Sequence, residues 1–252
     1  MVPGSCYGLC GANEATAAPM THPWSLAVAI PVLSAMTSPR FRPPQQTRSQ
    51  ETLDRILDAA EQVLEEKSFT EATLAEIMDR AGVTVGAFYR RFPDKDALLH
   101  LIDQRFFDEL YRRADELLDV ERWRGTSTAE ILDAVALTGV ELYRRRRGIL
   151  RSLFLRARVD QVIQHTARQV NEHYCARLRT LLLDPERSAE VTHPDPHRAV
   201  ALGFRMFLGA LRETTIFNET WSEEQLLEPS LDAELARQYR AYLGVPQVAR
   251  GR

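Results

Sequence analysis

From Arg48 onward, apolar residues recur at three- and four-residue spacing along nearly the whole chain. Leu53, Ile56, Leu57, Ala60, Val63 and Leu64 make one stripe, the spacing of an amphipathic helix that buries a single face. Thr47 and Gln50 stand where a capping box would open that helix. A short second helix is predicted from Thr73, because Thr73 and Glu76 have capping-box spacing and Leu74, Ile77 and Met78 follow. Gly82, which takes left-handed backbone without penalty, should end it. Thr84 caps a third helix through Phe88, Tyr89 and Phe92, which Pro93 terminates. Asp94 caps a fourth, long helix with Leu98, Leu101, Ile102, Phe106 and Leu110 inward. Further helices are expected at about 128–146, 148–158, 160–183, 196–217 and 231–243, with breaks at Gly125, Gly148, Asp184-Pro185, Pro194–Pro196 and Pro229. No stretch alternates apolar and polar residues with β-branched enrichment, so the expected fold class is all-α.

Composition narrows this picture only a little. The chain has 252 residues, 44% hydrophobic and 27% charged, enough for one large or two small domains with a proper core. No apolar run approaches the roughly 18 residues of a membrane span. A net charge of -3 excludes a globally basic nucleic-acid coat but not binding through a local patch. Three cysteines cannot make a disulfide framework, so a reducing cytoplasm is expected. Lys67 and Lys95 are the only lysines among 32 basic residues, a bias expected of a GC-rich bacterial genome. Met1 to Pro39 contains no Lys or Arg and is rich in Ala, Pro, Ser, Thr and Gly, so it lacks the charged start of a secretory signal. Its composition predicts a disordered leader over 1–46, with translation beginning at Met36 as the sharper reading.

The densest chemistry lies between Thr73 and Lys95. Two short helices joined through Ala81-Gly82-Val83 describe a helix-turn-helix, whose second helix is presented end-on to the major groove of DNA. Gly86 and Ala87 are small enough to let the backbone approach bases closely. Phe88 and Phe92, four apart, can anchor the helix inward and leave Tyr89, Arg90 and Arg91 outward. A phenol and guanidinium forks bond phosphate, and arginine also reads guanine. Lys95 sits in the first turn of a helix, where a cation opposes the dipole and would be sensible opposite a phosphate. Against this, Arg48 to His100 holds seven basic residues and eleven acidic ones, so any docking face is a positive patch on a negative domain. Arg40, Arg42 and Arg48 could add an N-terminal arm.

The run from Thr73 to Leu99, with its Ala-Gly-Val-Thr turn, its aromatic pair and its Phe92-x-x-Lys95-x-x-Leu98-Leu99 close, resembles the DNA-binding signature of TetR-family transcriptional regulators. The resemblance covers about 48–105 and includes the Phe-containing turn Lys67-Ser68-Phe69. It implies that Thr73 and Thr84 contact phosphate at helix starts, that Thr84, Val85 and Gly86 face bases, and that Tyr89, Arg91 and Lys95 clamp the backbone. Met78 stands where alanine is usual and Arg91 where histidine is frequent. It further implies a helix-turn-helix DNA-binding domain over 47–93, a helical ligand-binding and dimerisation domain over 94–245, and a flexible tail over 246–252. A ligand pocket would lie inside the later helices near Phe107, Tyr111, Leu137, Phe154, Gln169, Tyr174 and Phe204. The helix at 196–217 would pair with the last one and with their copies through Ala199, Gly203, Met206, Phe207, Ala210, Leu235 and Tyr239.

Elsewhere the residues are less specific. Arg144–Arg147 with Arg151, Arg156 and Arg158 is a basic cluster at a helix break, readable as an acidic-ligand patch or as a corner paired with neighbouring carboxylates. His165, His173 and Cys175 do not share a helix face at ligand distance, and His193 and His197 straddle two prolines, so no metal site is expected. No phosphate-cradling Gly-rich loop, Gly-x-Ser-x-Gly elbow or His-Glu-x-x-His pair occurs, so neither enzyme activity nor a cofactor is expected. The expectation is a dimeric DNA-binding transcriptional regulator, a ligand-released repressor of a palindromic operator, in the bacterial cytoplasm and on the nucleoid when bound. Its partners would be duplex DNA, a second copy and a small effector, with no membrane. The alternative is a helical small-molecule-binding protein whose helix-turn-helix is silent.

Overall fold

The computed structural model describes residues 47–216 and 231–246. The leader, the Met36 start, the Arg40 and Arg42 arm, the side chains of Thr47 and Arg48, the Pro229 break and residues 247–252 lie outside that description. Among the described residues all regular structure is helical: α1 (Thr47–Glu66), α2 (Leu74–Ala81), α3 (Val85–Tyr89), α4 (Lys95–Leu117), α5 (Thr128–Arg145), α6 (Arg147–Arg156), α7 (Gln161–Leu182), α8 (Pro196–Ile216) and α9 (Leu231–Leu243). Single 3-10 turns at Glu121–Trp123 and Ser188–Glu190 join α4 to α5 and α7 to α8. No helix among the described residues is long and apolar enough to cross a membrane.

Local chemistry explains most boundaries. The Thr73 hydroxyl accepts from Glu76 N and the Glu76 carboxylate accepts from Thr73 N, a complete capping box, while Gly82 closes α2 at φ +61°. The Asp94 carboxylate accepts from Ala97 N at 2.8 Å and opens α4. Ser127 and Glu130 make a second capping box at α5, one that the sequence pattern had not drawn out. At α1, Gln50 donates to Asp54 at 3.1 Å, and the box expected with Thr47 rests on a side chain outside the description. The third helix is shorter than its pattern suggested. It stops at Tyr89 and continues as turns in which Phe92 N still bonds Phe88 O, because Pro93 can supply no further donor.

One apolar core runs through the described helices, from Ile56, Leu98 and Phe88 beneath α1–α4 to Leu132, Ile163 and Leu178 in the bundle. Helix α1 packs on α2 and on α6, α4 on α7, and α9 on both α5 and α8. The α1–α6 contact is close. A Cβ on Gly148 would lie 1.9 Å from the Leu64 carbonyl oxygen, so only glycine lets α6 begin there. Around that contact two arginines of the cluster are spent on ion pairs. Arg146 meets Glu61 at 2.8 Å and Glu109 at 3.5 Å, Arg156 meets buried Asp103 at 2.5 Å, and the Glu65 carboxylate accepts from Gly148 N at 2.6 Å. Of the two readings of the cluster, a paired corner is the one the structure supports at Arg146 and Arg156.

Candidate nucleic-acid interface and interior cavity

Helix α3 is a five-residue helix with one fully buried side chain. Phe88 is fully buried and meets Phe92 at 5.3 Å and Tyr89 at 5.4 Å between ring centroids, locking the helix onto the core. Its opposite face is bare: Val85 is 58% and Tyr89 51% exposed, and a Cβ on Gly86 would meet nothing within 4 Å. Thr84 caps the helix through Ala87 N and is itself exposed, as are Thr73 and Arg90. Thr73, Thr84, Val85, Gly86, Tyr89 and Arg90 therefore lie at the surface. An exposed Val and Tyr on so short a helix leave apolar surface unburied within the chain, so the face fits an external partner.

Arg91 and Lys95, expected as backbone clamps, are engaged within the chain. Arg91 donates to Ala87 O at 2.9 Å and to the Ser49 carbonyl and hydroxyl at 3.2 and 3.0 Å, tying α3 to the start of α1. The Lys95 ammonium donates to Phe69 O at 2.6 Å and to Ala72 O, and it lies 4.2 Å from the Phe69 ring centroid. Its placement in the first turn of α4 is thus offset by carbonyls rather than requiring a phosphate. Partial burial lowers its pKa from the ordinary lysine value, against the pull of Asp96. Ser49 was not among the residues expected at this site. Its signal, one hydroxyl at a helix start, is too common to single out.

The bundle holds a mostly apolar cavity of about 100 Å³ between α4, α5, α6, α7 and α8. Of the residues expected in a pocket, Phe107, Phe154, Tyr174 and Phe204 line it. Three do not. Leu137 is 48% exposed on the outer side of α5, Tyr111 packs against His173 at 5.1 Å, and Gln169 lies on a neighbouring face of α7. Helical phase explains each miss, since inward positions on these helices are set by which neighbour they meet. The lining residues that sequence reasoning missed include the polar Arg113, Thr138, Asn171 and Arg212. Arg212 lies 5.3 Å from the Phe154 ring centroid and bonds the Tyr143 hydroxyl. Burial pushes the Tyr143 phenol up to about 12 despite that guanidinium.

The small-residue stripe of α8 also turns inward. Ala199, Gly203 and Phe207 are buried within the chain, as are Leu235 and Tyr239 of α9. A Cβ on Gly203 would lie 2.1 Å from the Tyr239 ring, whose hydroxyl donates to Val200 O at 2.6 Å. Gly203 and Tyr239 join α8 to α9, Phe207 lies against Gly139 of α5, and all five residues are buried within one protomer. Met206, 42% exposed, and half-buried Ala210 border the outer side of α8. His173 bonds Asp115 and His193 bonds the Asp195 backbone, so these histidines have structural partners.

The three-helix unit with a capped, outward third helix, followed by a helical bundle, defines an all-α helix-turn-helix protein. Residues 56–102 match the family model of bacterial regulatory proteins, tetR family. The chain is 26% identical over 156 residues to the HTH-type transcriptional regulator TtgR of Pseudomonas putida, covering 61% of this chain and 64% of TtgR. It is 35% identical over 94 residues to the HTH-type transcriptional repressor BepR of Brucella suis, covering 37% and 43% of the two chains. The chain thus spans less than two thirds of the length of these relatives. A transcriptional regulator from Rhodococcus sp. RHA1 superposes with a TM-score of 0.57 at 21% identity, over 76% of this chain and 94% of that one, and shares its fold. Residues 56–102 thus carry the DNA-binding segment that the tetR family of bacterial regulatory proteins shares.

Proposed function

We propose that this protein is a sequence-specific DNA-binding transcriptional regulator, a ligand-released repressor that binds a palindromic operator as a dimer. The observation that carries this reading is the bare outer face of α3. Val85, Gly86 and Tyr89 project from a helix that Phe88 anchors to the core, beside the exposed hydroxyl-bearing helix starts at Thr73 and Thr84. Thr84, Val85 and Gly86 are assigned to base edges, and Thr73, Tyr89 and Arg90 to phosphates. Arg91 and Lys95 are assigned to holding that face in place, with any phosphate contact made through donors left over from Ser49, Phe69 and Ala72. A dimer is required physically, because one five-residue helix buries too little surface for specific recognition. Its contact would use the outer side of α8 around Leu202 and Met206 together with the exposed side of α9.

The cavity supports ligand release. Its wall includes Leu142, Tyr143, Leu150 and Leu153 of α5 and α6, the same helices whose junction meets α1 at Arg146 and Gly148. An occupant that separates α6 from its neighbours therefore bears on the helix-turn-helix through rigid contacts, and a ligand preferring that arrangement shifts the population. The second reading, a ligand-binding protein with a silent helix-turn-helix, draws on the internal engagement of Arg91 and Lys95. Anisotropy titration against selected genomic fragments at two salt concentrations separates the two. Saturable, competitor-resistant and salt-sensitive binding supports the regulator, and no preference in a genome-wide selection supports the silent domain.

A further inference from the structure

Beside the apolar cavity lies a larger open groove of about 870 Å³ between α6, α7 and α8. The two adjoin, since Phe154, Ala167, Asn171, Phe204, Leu208 and Arg212 line both. Their chemistry differs sharply. The cavity is walled almost entirely by aliphatic and aromatic side chains, whereas Arg158, Arg168, Arg179, Arg205 and Arg212 line the groove with one carboxylate, Glu172, among them. That concentration occurs in a chain whose net charge is -3. Two arginines of α6 and α7 outside the groove are matched: Arg156 with Asp103 and Arg177 with Asp115. Among the described residues, these ion pairs leave out Arg158, Arg168 and Arg205. Arg212 stands at the boundary, its guanidinium against the Phe154 ring and the Tyr143 hydroxyl. Asn171 adds a neutral amide at the same place.

We propose that groove and cavity form one site for a small organic anion with an apolar body, a carboxylate or sulfonate whose body enters the cavity and whose charged group stays among the arginines. This deepens the reading of the cavity as an effector site and rests on it. Guanidinium forks bond carboxylate and sulfonate oxygens in pairs and keep their charge at every physiological pH. Low-dielectric walls behind them strengthen the attraction relative to open water, and the same field repels organic cations. The apolar wall supplies affinity by burial, and the arginines supply the choice between anion and neutral analogue.

The test uses the full chain and two fluorescent probes with nearly the same aromatic body, anilinonaphthalene sulfonate and neutral phenylnaphthylamine. The sulfonate is expected to bind more tightly than the neutral probe, with affinity falling as salt rises. Arg168→Gln with Arg205→Gln, both exposed and neither in an ion pair with a described residue, should weaken the sulfonate about tenfold, one charge-assisted contact's worth, and leave the neutral probe unchanged. Ala167→Trp, where groove meets cavity, should weaken both. Equal or tighter binding of the neutral probe, equal loss of both probes in the double arginine variant, or sulfonate binding untouched by Ala167→Trp would each overturn the proposal. So would binding of neither probe. The titration contains no DNA, so its failure is distinct from failure of the operator selection, which contains no probe.

Discussion

Replacing Gly148 with alanine should destabilise the protein through a backbone collision that no rotamer change can relieve. The new methyl would lie 1.9 Å from the Leu64 carbonyl oxygen, 2.6 Å from its carbonyl carbon and 2.7 Å from the Glu65 Cα, all backbone atoms near the end of α1. Restoring ordinary contact at 3.4 Å requires the two helices to part by about 1.5 Å. Overpacking of this kind costs about 1–3 kcal/mol. The displacement also stretches the 2.6 Å bond from Gly148 N to the Glu65 carboxylate, a charge-assisted contact worth about 1–3 kcal/mol. Alanine returns up to about 1 kcal/mol of helix propensity, leaving a net loss near 3 kcal/mol. For a chain of this size that lowers Tm by roughly 6–12 °C. The assay is thermal unfolding followed by circular dichroism, with Gly209→Ala as its partner. Gly209 meets nothing within 4 Å, so that alanine should raise stability by roughly 0.5–1 kcal/mol. A Gly148→Ala protein melting within about 1 °C of the parent would show that α1 and α6 are not in close contact.

Four other outcomes are expected. Thr73→Ala removes the α2 cap and should cost about 1 kcal/mol in a denaturant titration. Its box partner Glu76 has its carboxyl held down to about 2 by the Lys67 ammonium and the Thr73 donors. Glu76 therefore stabilises fully above the ordinary value of 4.5 and loses that contribution as pH falls through about 2, so Glu76→Gln should flatten the acid limb of a stability profile. Under the proposed function, Arg90→Ala should weaken binding to all DNA sequences alike and reduce the salt slope by about one, measured by anisotropy at several salt concentrations. Gly86→Ala, whose methyl meets nothing in the chain, should leave Tm unchanged or higher while lowering operator affinity in the same titration.

The information that spacing carries is local. Caps at Thr73, Thr84 and Asp94, the left-handed Gly82 and the breaks at Pro93 and Pro185 act within four residues, so helix number, order and most boundaries are readable from the chain alone. The outward face of α3 was legible for the same reason, because Phe88 and Phe92 are the large apolar rings of that segment and anchor it inward. Packing settled what each long helix turns toward its neighbours. Helix α8 is apolar on more than one side, and only its contacts with α9 and α5 put Ala199, Gly203 and Phe207 inside and left Leu202 and Met206 out. The destinations of Arg91 and Lys95 were likewise beyond spacing, since their partners Ser49 and Phe69 lie 42 and 26 residues away. A long flexible cation satisfies whichever carbonyl or hydroxyl the fold delivers to it, and sequence period carries no record of that delivery. Arg158, Arg168 and Arg205 show the same limit: they are scattered along the chain and become one charged wall only when α6, α7 and α8 pack together.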